Sequence, residues 1–188
     1  MRVDPASGLL EGVRFVESPN QDARPAGCDI DLVVLHNISL PPGEYGGGWV
    51  ERLFCNDIPP GVHPYLDEVR DLRVSAHVLI ERDGAITQFV PFHRRAWHAG
   101  VSCHEGRERC NDFSIGIELE GSDEVPYEAV QYERLVAVLQ ALFAAYPRLG
   151  PDRITGHEHI APGRKTDPGP AFDWALLAAR LEKPVPAG

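Results

Sequence analysis

The chain has 188 residues, of which 43% are hydrophobic and 24% charged, and its formal net charge is −10 at pH 7. This length predicts one domain that can bury a core without disulfide support. The acidic balance argues against nucleic acid or an anionic membrane as a partner, because both are bound by clustered Lys and Arg. It still permits a small anionic substrate that is held by a few local cations.

Leader sequences and cysteines bear on the compartment. No apolar stretch of leader length lies between Met1 and Pro19, and no run approaches the length of a membrane span. The four cysteines form no C-x-x-C pair, and we expect all of them to be buried or partly buried free thiols: Cys28, Cys55, Cys103 and Cys110. These features predict a cytoplasmic protein.

The first half of the chain contains strand-like runs that are separated by Pro- and Gly-rich turns. Gly12–Val16 predicts a short strand, and the aliphatic run Asp31–His36 predicts a strand that is buried on both faces. Trp49–Asn56 predicts a short helix. Val74–Glu81 and Ala85–Phe92 predict a hairpin, because an Asp-Gly pair joins them.

The second half predicts one strand and two helices. Phe113–Leu119 alternates aliphatic with small or polar residues, which predicts a strand with Glu118 opposite its aliphatic face. An apolar stripe predicts a helix over Glu128–Tyr146, with Glu128 in its first turn and Pro147 after its end. Ala171–Leu181 predicts a shorter helix.

Together these elements predict a single α/β domain, in which helices flank a central mixed β-sheet. We expect the domain to span residues 1–188, with a core at about 12–182 and a flexible C-terminal tail at 183–188.

Eight histidines raise the question of a metal site, but neither an H-E-x-x-H nor a C-x-x-C motif establishes one. His36 ends the strongest strand, where α/β sheets commonly build sites, although for His36 taken alone the pattern favours a hydrogen-bonded core histidine. His157 opens a Gly- and Pro-rich loop, 156–170, that also carries Glu, Arg, Lys and Asp. The alternative for this loop is a set of solvated charges. We expect His63, His93 and His104 at the surface.

Five stretches together form a distributed signature: 33–43, 74–77, 95–102, 110–121 and 164–174. On these stretches the chain resembles the zinc-dependent N-acetylmuramoyl-L-alanine amidases, and within them the cytoplasmic AmpD type. That type acts on 1,6-anhydro-N-acetylmuramyl peptides during cell-wall recycling. The resemblance covers nearly the whole chain.

The resemblance implies a catalytic centre with one zinc ion per chain. The zinc would be held by His36, His157 and Asp167, with a fourth position left for water. Glu118 would take the proton from that water and pass it to the leaving amine. Lys165 would stabilise the oxyanion of the tetrahedral intermediate.

The resemblance also implies a substrate groove that is lined by Asn37, Arg73, Trp97 and Arg109. The arginines would grip the carboxylates of a muropeptide, and Trp97 would lie against the sugar. The alternatives are a core position for Trp97 and a structural ion pair for Arg73.

One position departs from the family pattern, which commonly has Asp two residues after the second histidine ligand. This chain has His159 there, which makes His159 a further candidate for the metal. We expect His77 and His98, which lie within family motifs, to make structural hydrogen bonds rather than to bind metal.

The predicted function is zinc-dependent hydrolysis of the amide between the lactyl group of (1,6-anhydro)-N-acetylmuramic acid and L-alanine. One alternative is a muropeptide-binding module without catalysis, which the complete ligand set disfavours. The other is a lytic amidase that acts on intact peptidoglycan, which the acidic charge and the lack of a leader disfavour. We expect a monomer whose partner is the anhydro-muropeptide, with no nucleic acid and no membrane bound.

Overall fold

The computed structural model describes residues 1–182, so the predicted tail at 183–188 lies outside the described residues. The strands are β1 (Val3–Asp4), β2 (Leu9–Leu10), β3 (Arg14–Phe15), β4 (Gln21–Ala23), β5 (Leu32–Ile38), β6 (Val78–Ile80), β7 (Ile86–Gln88), β8 (Arg94–Ala96), β9 (Cys103–His104), β10 (Arg107–Glu108), β11 (Ser114–Glu120) and β12 (Ile154–Gly156). The helices are α1 (Trp49–Phe54), α2 (Pro64–Val69), α3 (Ala129–Ala145), α4 (His157–Ile160) and α5 (Trp174–Leu181).

The central element is a six-stranded sheet in the order β12–β5–β11–β6–β7–β3. The first four strands run parallel, whereas β6 and β7 form the predicted antiparallel hairpin. The strand β3 pairs in parallel with β7 at the far edge. The predicted α/β class with a central mixed sheet is confirmed, although the two hairpin strands are shorter than predicted.

Side-chain alternation along β5 and β11 gives the sheet two different faces. Aliphatic residues on one face, among them Leu35 and Ile117, pack in one cluster with Leu135 and Leu139 of α3. The opposite face carries Leu32 and Val34, and then the polar residues of the site. Polar groups therefore line one side of strands whose other side is an apolar core.

Several helix boundaries differ from the predictions because polar side chains cap the helices. Glu128 lies before α3 rather than in its first turn, and its N–H donates to the side-chain oxygen of Gln131 at 3.0 Å, which caps the start of the helix. Asp173 caps α5, so this helix begins at Trp174 and not at Ala171. The sequence analysis missed α2, whose start is marked by Pro64.

Three further differences concern burial and loops. Leu10 is only 3% exposed within the main cluster, so the core includes residues that precede position 12. Cys103 is exposed, whereas a buried or partly buried thiol was predicted; all four cysteines are free. The loop predicted at 156–170 begins with the one-turn helix α4. Within residues 1–182, no helix combines the length and the apolar character needed to cross a membrane.

Candidate metal centre and active site

The three parallel strands β12, β5 and β11 bring distant residues together at their carboxyl ends. In the register of β5 and β11, His36 pairs with Glu118. In the register of β12 and β5, Gly156 pairs with Leu35, so His157 follows directly beside His36. Open α/β sheets bind ligands at this edge, and here three sequence-distant residues meet there.

Three possible metal ligands converge at this edge. The Nδ1 atom of His36 lies 3.0 Å from Nδ1 of His157 and 3.0 Å from Oδ2 of Asp167. The distance between His157 Nδ1 and Asp167 Oδ2 is 3.1 Å. These three residues form a group that could hold a metal ion. The hydrogen bond from the Glu158 N–H to the Asp167 carbonyl, 2.9 Å long, ties the Asp167 loop to α4.

The donor set fits zinc. Two imidazole nitrogens and one carboxylate oxygen are the ligands of many catalytic zinc sites, and tetrahedral bonds of about 2.0–2.1 Å place the ligand atoms about 3.3 Å apart. His157 presents the required lone pair, because its Nε2 lies 3.1 Å from the Ala99 carbonyl, an acceptor only. Nε2 therefore carries the proton, and Nδ1 faces the group unprotonated.

Burial keeps His36 neutral at physiological pH. Its side chain is 2% exposed, and burial, with a smaller contribution from neighbouring His157, lowers its pKa to about 4. The Asp167 carboxylate opposes this shift without cancelling it, because it would accept a hydrogen bond from the protonated ring. A neutral imidazole is the form that binds a metal ion.

Glu118 is a buried carboxyl group with an unmet hydrogen-bonding capacity. It is 9% exposed, and among residues 1–182 its Oε2 is the buried side-chain oxygen or nitrogen that has no hydrogen-bond partner. Burial raises its pKa well above the usual value, the charge of Asp167 adds to this, and Lys165 opposes it. An ordinary exposed strand glutamate is therefore excluded, and the group is suited to accept a proton.

A cavity of about 440 Å³ opens above these residues. The polar part of its lining includes His36, Asn37, Ser39, Ser75, His98, Glu118, Ser122, Asp123, His157, Lys165 and Asp167. Its apolar wall includes Leu53, Phe54, Tyr65, Val69, Leu72, Val74 and Trp97. The cavity thus combines a charged floor with an apolar side that could take a sugar or peptide.

The structure brings two of the four predicted groove residues into this lining, Asn37 and Trp97. The other two lie outside it. Arg73 is exposed, and its guanidinium lies 3.3 Å from the Leu72 carbonyl. The Arg109 side chain is 71% exposed and forms an ion pair with Asp112 at 3.4 Å.

The amide of Asn37 connects the cavity wall to the loop that carries Asp167. Its Nδ2 donates to Oδ1 of Asp123 at 2.8 Å and to the Pro168 carbonyl at 3.0 Å. The Tyr127 hydroxyl donates to the same carbonyl at 2.7 Å. The sequence analysis missed Asp123 and Tyr127, because neither lies in a motif and only the tertiary fold brings them to this loop.

His159 is not part of the metal-binding group. Its side chain is 60% exposed, and its Nδ1 accepts a hydrogen bond of 3.4 Å from the N–H of Gly156 at the start of α4. An Asp at this position, as in the family pattern, could accept the same bond as a helix cap. The departure from the pattern therefore preserves a local contact.

Comparisons with known proteins agree with this geometry. A family described as N-acetylmuramoyl-L-alanine amidase matches residues 26–170. The 1,6-anhydro-N-acetylmuramyl-L-alanine amidase AmpD of Enterobacter cloacae is 58% identical over 175 residues, which cover 93% of each chain. A crystal structure of a selenomethionine AmpD derivative superimposes with a TM-score of 0.91 at 56% identity and covers 95% of this chain and 98% of that one.

A second solved structure holds a ligand. It is a complex of the amidase AmiD from Escherichia coli with anhydro-N-acetylmuramic acid-L-Ala-D-γ-Glu-L-Lys. Its TM-score is 0.59 at 30% identity, and the match covers 84% of this chain and 60% of that one. By its sequence and by its fold, this chain belongs to the N-acetylmuramoyl-L-alanine amidase family.

Proposed function

We propose that this amidase cleaves the amide between the lactyl group of 1,6-anhydro-N-acetylmuramic acid and L-alanine, at one zinc ion held by His36, His157 and Asp167. The observation that carries this proposal is the convergence of three ligand atoms within 3.1 Å of one another beside the unpartnered carboxyl of Glu118. A bound zinc ion lowers the pKa of its water to about 7, which supplies a nucleophile at neutral pH.

Two residues would transfer the proton and stabilise the negative charge that develops during the reaction. Glu118 would accept the proton of the attacking water, because burial raises its pKa well above the usual value and makes it a stronger base than an exposed glutamate. It would then deliver that proton to the departing amine of L-alanine. Lys165, an exposed cation at the cavity, would stabilise the negative oxygen of the tetrahedral intermediate.

The substrate assignment draws on the relatives and on the cavity. The relative from Enterobacter cloacae is named for the 1,6-anhydro substrate, and AmiD was solved with an anhydro-muropeptide. Trp97 would lie against the sugar, and the Asn37 amide would face the substrate beside the metal. Arg73 and Arg109 lie outside the cavity lining, and as ligands of stem-peptide carboxylates they stay predictions.

The proposal places the reaction in the cytoplasm, on soluble fragments and by a monomer. The four free thiols suit a reducing compartment. The net charge of −10 suits a small fragment better than an anionic polymer.

The test is mass spectrometry of the products formed from a defined anhydro-muropeptide. We expect release of the L-alanyl peptide, its loss beyond detection after chelation, and its return when zinc is added. Asp167→Ala should abolish it in the same way. The matched control is Glu158→Gln, which removes a neighbouring acid outside the ligand group and should leave cleavage unchanged.

Three outcomes would contradict parts of the proposal. Cleavage that survives both chelation and Asp167→Ala would exclude the metal mechanism. Binding of the muropeptide without cleavage by zinc-loaded protein would favour the recognition module. Faster release of peptides from intact sacculi than from the anhydro-muropeptide would favour a lytic amidase.

Lys165 can be tested separately from the metal. Lys165→Met removes the cation and keeps the length of the side chain, and one oxyanion donor is worth about 10²–10³ in kcat. We expect a loss of this size in kcat with unchanged zinc affinity. A change confined to KM would instead assign Lys165 to substrate binding.

A further inference from the structure

One partly buried histidine that is outside the ligand group contacts a proposed ligand directly. The His98 Nδ1 atom lies 2.9 Å from His36 Nε2, and the two rings meet edge to face with their centroids 5.0 Å apart. His98 fits over β11 at Gly116, where an added Cβ would lie 2.4 Å from the ring. The glycine therefore makes room for this contact.

The far side of the His98 ring shows where its proton lies. Its Nε2 is 3.2 Å from the Ser114 hydroxyl, and that hydroxyl donates to the Cys110 carbonyl at 2.6 Å. Because a carbonyl only accepts, the single hydroxyl proton of Ser114 is committed to it. Ser114 must then accept from His98, so the proton of His98 is on Nε2 and its Nδ1 carries a lone pair.

The same reasoning extends one residue further. The lone pair on His98 Nδ1 requires a donor at 2.9 Å, and the facing atom is Nε2 of His36. His36 therefore carries its proton on Nε2, and its Nδ1 points unprotonated at His157 and Asp167. A fixed chain of hydrogen bonds thus runs from the Cys110 carbonyl to the proposed metal position.

Ala99, the residue after His98, contacts the second proposed histidine ligand, His157. The Ala99 carbonyl accepts from Nε2 of His157, at 3.1 Å. The N–H groups of His98 and Ala99 both donate to Oδ1 of Asn111, at 3.1 and 2.8 Å. Asn111 therefore anchors the two-residue segment His98–Ala99, which orients both imidazoles.

We propose that His98 is a positioning residue of the metal centre, which holds His36 in the tautomer that presents Nδ1 to the metal. Ser114 fixes the donor-to-acceptor direction of the hydrogen bonds that run through His98 to His36. The proposal rests on the proposed zinc site. Hydrogen bonds to the outer nitrogen of a ligand histidine typically contribute about 10–100-fold to metal affinity.

The first test measures zinc affinity by competition with a chromogenic chelator at pH 7.5. His98→Leu removes the acceptor and should raise the zinc Kd about 10–100-fold. His98→Asn retains an acceptor oxygen at the position of Nδ1 and should recover most of this loss. The matched control is His77→Leu, because His77 is a buried histidine that bonds to the Gly116 N–H and the Arg94 carbonyl and not to a ligand.

The second test reads the tautomer of the metal-free wild-type protein. Two-bond ¹⁵N–¹H correlation spectra of the histidine-labelled chain should show His36 and His98 both protonated on Nε2. A proton on Nδ1 of His36 or of His98 would overturn the proposal. This test needs no variant and therefore decides the question even if His98→Leu fails to fold.

The outcomes separate this inference from the proposed function. Wild-type protein that binds no zinc would overturn the zinc site, while the tautomer spectrum would still decide the hydrogen-bond chain. Wild-type protein that binds zinc, with a His98→Leu Kd equal to that of His77→Leu, would overturn the role of His98 alone.

Discussion

The two faces of strand β11 are buried to a similar extent but differ in what burial achieves. Ile115, Ile117 and Leu119 are 0% exposed and belong to the apolar cluster that includes α3. On the other face Ser114 is 0% and Glu118 9% exposed, within a network of polar groups. Burial alone therefore does not separate the core from the site, whereas the completeness of hydrogen bonding does.

The sharpest contrast lies between two glutamates on the polar face. Glu120 is 5% exposed, and its carboxylate accepts from the backbone N–H groups of Gly46 and Arg82. Glu118, two residues earlier, has one oxygen without any partner in the described part of the chain. One acid is held by bonds that stabilise the fold, and the other is left available for chemistry.

Replacing each glutamate by glutamine tests this contrast, and the largest expected effect is the loss of kcat in Glu118→Gln. Glu118→Gln should lower kcat about 10²–10⁴-fold, because it removes the base. It should also raise the free energy of unfolding at pH 7 by about 1–3 kcal/mol, because an unpartnered buried carboxylate is costly. The sign follows from the raised pKa, since this group costs stability as pH rises above about 4.5.

Glu120→Gln is the matched control, and its effect on stability should have the opposite sign. Amide replacement weakens two charge-assisted bonds to backbone N–H groups, so urea denaturation should show a loss. A destabilised Glu118→Gln protein would contradict the account of Glu118 as an unsatisfied group.

A substitution on the apolar face of the sheet should lower stability and leave zinc affinity and kcat unchanged. Leu139→Ala removes a fully buried side chain of α3 and should lower the free energy of unfolding by about 2–5 kcal/mol. Zinc affinity and kcat, measured well below the melting temperature, should stay at wild-type levels. A tenfold change in zinc affinity would show that the two faces are coupled through the sheet.

The remaining expected effect is on the pH dependence of stability in metal-free protein. Burial lowers the pKa of His36 to about 4 and lowers the pKa values of His77 and His98. Their unfolded forms take up protons below about 6.5, so stability should be lost as pH falls from 6.5 toward 4. For His36 alone the loss between pH 7.5 and 5 is about 2 kcal/mol.

Urea denaturation of chelator-treated Glu118→Gln protein at both pH values measures this loss. The Gln background removes the carboxyl whose contribution has the opposite sign. Stability that is equal at pH 7.5 and 5 would show that these histidines are protonated in the folded state.

The sequence predicted what depends on local periodicity and on residue order. The strand around Ile115 and Ile117, the helix whose stripe includes Leu135 and Leu139, and the Asp83-Gly84 hairpin all follow from spacing. The three proposed ligands were accessible only through the family resemblance, because His36 and His157 are 121 residues apart. Their proximity depends on the pairing of β5 with β12, and no local pattern encodes that pairing.

Other features were beyond the sequence for a physical reason. The direction of the hydrogen bonds through His98 depends on the Ser114–Cys110 distance, which only the folded chain defines. Arg73 and Arg109 carry the right charge for a carboxylate, but the fold places both outside the cavity lining. Residue type predicted their chemistry and left their location open.

Gly116 has a consequence for which sequences this fold can tolerate. Glycine in a strand interior usually costs stability, so Gly116→Ala would pass as an improvement in a survey of strand propensities. A methyl group there would lie 2.4 Å from the His98 ring and would push it away from His36. Efforts to make thermostable variants of this enzyme should therefore keep glycine at position 116. Any gain in strand stability there would be offset by weaker metal binding.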